Sequence, residues 1–83
     1  MAKVAEDIRR WLEYAKAQGS THLIVVYDEF ECDDYPVHVM PGENVQKKME
    51  EYDKKDMQKV VEVYSFKHGI DEQLAQGRVF NLD

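Results

Sequence analysis

The chain is predicted to fold as one α+β domain spanning residues 1–83, in the order α-β-β-α-β-α. A small, mainly antiparallel three-stranded sheet would pack against the helices. Three observations predict this: an amphipathic helical period near the start, β-branched runs flanking an acidic link, and Gly or Pro where the pattern changes.

Val4, Ile8, Trp11, Leu12 and Ala15 recur at helical spacing. Lys3, Asp7, Arg10 and Lys16 occupy the rest of the wheel, predicting an amphipathic helix over 3–17. Gly19 ends it and Gly19-Ser20-Thr21 makes a turn. His22 to Tyr27 is the clearest strand, and its apolar residues of both parities predict a central strand covered on each side. A second strand is expected over 35–40, with Pro36 at its start or on a sheet edge. Pro41-Gly42 then turns the chain.

Val45, Met49 and Tyr52 share one face of a helix expected over 43–54, with Glu43 near its start and Lys54 and Lys55 near its end. The segment 57–66 has two readings. Met57, Val60, Val61 and Tyr64 fit a helix, whereas Val60 to Phe66 has strand composition. Two strands make a poor platform for three helices, which favours a third strand. A short helix is expected around Leu74, between Gly69 and Gly77, with Val79, Phe80 and Leu82 returning the tail to the body.

The formal net charge is −6, and residues 21–45 alone hold six acidic side chains and no basic one. These are Asp28, Glu29, Glu31, Asp33, Asp34 and Glu43. Phosphate backbones are bound by Lys and Arg, so this segment is no direct nucleic-acid surface, and a basic protein surface suits it better. The lysines at 47, 48, 54, 55 and 59 are interleaved with Glu50, Glu51, Asp53 and Asp56, as on a solvated helix face. No membrane span is expected, because the longest apolar run is Leu23 to Tyr27. With one cysteine and an N-terminus unlike a signal peptide, a cytoplasmic protein without an internal disulfide is expected.

The motifs that carry chemistry are missing. The link from Asp28 to Asp34 has carboxylates for a hard cation, but the sixth position of a calcium loop holds Asp33 and the twelfth Val39. His22, Cys32, His38 and His68 lack zinc spacing. The acidic neighbours of Cys32 oppose a thiolate, and His38 should face away from Val37 and Val39. Trp11, Met40, Met49 and Met57 are explained by core filling. Neither a metal nor a cofactor is expected. Phe30 interrupts the acidic run, either as an interface anchor or folded over the open end of a small core.

The pattern Asp28-x-Phe30-x-x-x-Asp34-Tyr35-Pro36-Val37-x-Val39 resembles one in small uncharacterised proteins of bacteria and their phage-like mobile elements. Pro41-Gly42-Glu43 and the stretch Met57 to Tyr64 extend the likeness over residues 20–76. The resemblance implies a mobile-element accessory protein and carries no catalytic residue.

The expectation is therefore a non-enzymatic acidic interaction module, an accessory or inhibitor acting on a basic partner. Its contact residues would be Asp28, Glu29, Phe30, Glu31, Asp33, Asp34 and Tyr35. The alternatives are a homodimer joined through a sheet edge or the Phe30 region, and a small divalent-metal enzyme using the Asp28–Asp34 cluster.

Overall fold

The computed structural model describes residues 5–83, the side chain of Ala5 excepted. The order is α1 (Ala5–Ala17), β1 (His22–Asp28), β2 (Asp33–Val39), α2 (Val45–Asp53), β3 (Gln58–Ser65) and α3 (Ile70–Leu74). The expected helical positions Lys3 and Val4 lie outside the described residues. The sheet is β2-β1-β3, and β1 runs antiparallel to both neighbours.

Because strand side chains alternate between faces, β1 feeds two cores. Leu23 and Val25 join Ile8, Leu12, Ala15, Tyr64 and Val79 under α1 and α3. Ile24 and Val26 join Val37, Val39 and Val63 under α2, with Val45, Met49 and Tyr52 packed on them. The continuous apolar run of β1 thus has the predicted cause. His38 packs against Tyr14 of α1 with tilted rings whose centroids are 5.7 Å apart, on the face opposite Val37 and Val39.

Turn chemistry fixes where the helices stop and start. Gly19 at φ +85° closes α1 as a left-handed cap, with Ser20 N–H donating to the Ala15 carbonyl and Gly19 N–H to that of Lys16. Gly42 at φ +92° follows Pro41, and Glu43 N–H returns to the Met40 carbonyl, the bond that closes a β-turn. The start of α2 is later than position 43, because Asn44 is its cap and accepts from Lys47 N–H at 2.9 Å.

Segment 57–66 forms a strand with a bulge. Val25 faces Glu62 and Val26 faces Val60, so Val61 is the inserted residue, and it packs against the α1 core. The strand β2 starts at Asp33 rather than Tyr35, which reduces the acidic link to the four residues between Asp28 and Asp33. The tail returns as expected only at Val79, which is fully buried; Phe80 and Leu82 stay 48% and 38% exposed. Met57, at φ +61° and half exposed, fills no core.

The outer edge of β3 is covered by the chain itself. Val63 N–H donates to the Val79 carbonyl and Asn81 N–H to the Val63 carbonyl, a parallel bridge. Further along, Gln73 substitutes for a strand: its Oε1 accepts from Ser65 N–H at 2.9 Å and its Nε2 donates to the Ser65 carbonyl at 2.7 Å. Val60 N–H donates to Asp53 Oδ1. Among the described residues no strand lies outside β2.

Candidate functional site

The hairpin turn between β1 and β2 is held by Asp28. Its Oδ1 accepts from Phe30 N–H at 2.9 Å and Glu31 N–H at 3.2 Å, an Asx turn that fixes the backbone beneath the tip. Cys32 closes the loop at φ +55°. Glu29 N–H donates to the Met57 carbonyl at 2.7 Å, tying the tip to the loop before β3. Phe30 projects from this frame 75% exposed, between the exposed Glu29 and Glu31. It does not fold over the core.

The other expected contact residues divide by strand alternation. Asp33 and Tyr35 face the α2 side, where both are half-buried and the Tyr35 hydroxyl donates to Gln58 Oε1 at 2.8 Å. Asp34 faces the α1 side and is only 7% exposed. The contiguous exposed surface is therefore Glu29, Phe30 and Glu31, with Asp28 as its support.

Asp34 instead lines a cleft of about 390 Å³ on the α1 side of the sheet, with Tyr27, Glu62, Tyr64 and Arg78 as its polar wall and Ile8, Val61 and Leu74 as its apolar one. The Tyr64 hydroxyl donates to Glu62 Oε1 at 3.0 Å. Burial pushes the Glu62 carboxyl above its ordinary range against that bond, and the nearby Asp34 charge pushes the same way. Burial, and then the charge of Glu62, keep the Tyr64 hydroxyl protonated. Glu62 was missing from the expected site because only the register of β3 brings it near Asp34.

Of the remaining nucleophilic and ligating residues, His22, Ser65 and His68 meet at Asp83. His22 bonds the Thr21 hydroxyl and, through Nε2, the Asp83 carbonyl oxygen at 2.9 Å. Ser65 Oγ donates to that same oxygen, and His68 Nε2 lies 2.9 Å from Asp83 Oδ2. These residues fasten the tail. Among the described residues no group of three His, Cys, Asp or Glu is placed to hold a metal ion, and no helix is long and apolar enough to cross a membrane. Compared with protein-family models, curated proteins and solved structures, the chain has no match in any of the three.

Proposed function

We propose that this chain is a non-enzymatic protein-interaction module, an accessory or inhibitor of a mobile element that presses an acidic hairpin against a basic partner. One observation carries the reading: Phe30 stands 75% exposed between two exposed carboxylates on a turn whose backbone Asp28 holds in place. A large apolar side chain displayed on a fixed frame is a cheap anchor, since little entropy is lost when it docks. Glu29 and Glu31 supply attraction toward positive charge and hence a fast, salt-sensitive encounter.

The test is capture from the native host with the wild-type chain, Phe30→Ser, and the double variant Glu29→Lys/Glu31→Lys, at low and high salt. A partner retained by the wild type should be lost by both variants and weakened by salt, because exposed charges are screened beyond about 10 Å at 0.1 M. A partner retained equally by all three proteins would overturn the reading. Reversing Asp34 is not part of the test, because that residue is interior.

A further inference from the structure

The alternation of hydrogen bonds across the sheet defines what the outer edge of β2 offers. Phe66 N–H donates to the Thr21 carbonyl and Glu29 N–H to the Met57 carbonyl. Those bonds frame the His22–Ser65 and Asp28–Gln58 pairs as ones that exchange no bond. The even residues of β1 therefore bond toward β2, and their partners Val39, Val37 and Tyr35 bond back. What faces outward is the backbone of Asp34, Pro36 and His38. Pro36 has no N–H, and Asp34 N–H donates to Asp33 Oδ1 at 2.9 Å. The edge is thus rich in carbonyl acceptors and poor in donors.

A groove of about 540 Å³ runs along this edge. Pro36 and His38 meet Trp11 and Tyr14 of α1 on one side, while Tyr35 and Val37 meet Tyr52 and Lys48 of α2 on the other. Tyr14 is 61% exposed. Lys48 is neutralised by Glu43, both carboxylate oxygens lying 2.9 Å from its Nζ. Tyr52 already carries Lys55 Nζ at 4.3 Å, so it shapes the groove, while Trp11 and Tyr14, whose ring meets His38 on one side, supply the aromatic wall from α1.

We infer that this groove receives an arginine side chain of the basic partner. Arginine suits both the carbonyl edge and the aromatic wall of this groove. Its guanidinium has five donors and no acceptor, which suits an edge of carbonyls, and its plane stacks on aromatic rings. The acidic turn at the near end of β2 supplies the long-range attraction, and in that respect the inference rests on the function proposed above. A second copy of this chain is a poor occupant. Two such edges would face each other with carbonyls and prolines, and each copy brings a net charge of −6.

The probe is a capped Gly-Arg-Gly-Arg-Gly peptide, read by the fluorescence of Trp11, the single tryptophan, and by backbone amide shifts. Expected are saturable Trp11 quenching, shifts at Pro36 neighbours and His38, weaker binding of the lysine analogue, and none of the citrulline analogue. Tyr14→Ala should weaken the arginine peptide about three- to tenfold without altering the melting curve, as loss of an aromatic face does. No saturable quenching at millimolar peptide would overturn the inference. So would shifts confined to 29–31, equal affinity for arginine and lysine, or a dimer that forms at the same edge. If Glu29→Lys/Glu31→Lys abolishes partner capture while Tyr14→Ala changes nothing, the groove fails and the turn stands. The reverse pattern removes the turn and keeps the groove.

Discussion

Two residues test how the local environment sets stability. Cys32 holds a left-handed conformation that costs a residue with a Cβ about 1 kcal/mol, and it is exposed. Cys32→Gly should therefore raise the urea midpoint slightly, an effect of about 0.5–1 kcal/mol offset by greater freedom of the unfolded chain. The second residue is Glu62. Its folded carboxyl titrates above the unfolded one, so ionisation disfavours the fold as pH rises through that interval. Glu62→Gln keeps an acceptor for the Tyr64 hydroxyl and removes the charge. The melting temperature at pH 7.5 should rise by about 1–2 °C, and the gain should vanish below about pH 4, where the wild-type group is protonated in both states. A loss of stability at neutral pH would mean that Arg78 compensates Glu62 more than burial penalises it.

Among the elements, α3 is the shortest and carries a buried polar anchor. Gln73 has no exposed surface, and its amide serves both backbone groups of Ser65 while its oxygen also accepts from Asn81 Nδ2 at 2.8 Å. Gln73→Ala leaves those partners unsatisfied and opens a void. A destabilisation of about 2–4 kcal/mol is expected in denaturant unfolding, with faster amide exchange at Ser65 and Asn81. Nothing in the sequence singled out Gln73, because a glutamine in a helix is ordinarily a surface residue. Its role depends on where β3 ends. The strand β3 itself was ambiguous for a physical reason. The bulge puts Val60 and Val61 next to each other in sequence but in different cores, so the period-two pattern breaks into something like helical spacing. By contrast β1 was plain, because both its faces are apolar. In the acidic segment the turn residues were legible as charge, but the inward direction of Asp34 was not, since it follows from β2 starting two residues earlier than its β-branched core implies.

Taken together, the described residues form a three-stranded sheet between thin helical covers, and 83 residues leave little reserve. A domain of this size has roughly 4–12 kcal/mol of stability. Leu12 on α1 is fully buried in the core that α1 shares with β1 and β3. Leu12→Ala should cost about 3 kcal/mol and leave a chain unfolded at far lower urea, whereas Tyr14→Ala two residues away should shift the midpoint by less than about 0.5 kcal/mol. Equal effects would contradict the inward and outward assignment of the two side chains.

The fastening of the tail has a consequence for biosynthesis. Val79 and Asn81 cover Val63, and Asp83 binds His22, Ser65 and His68. On a ribosome these residues emerge after β3 has already been made, so the outer edge of that strand stays open until they clear the exit tunnel. An uncovered strand edge is a template for pairing with another chain, so until Val79 to Asp83 are in place β3 is where newly made chains would associate.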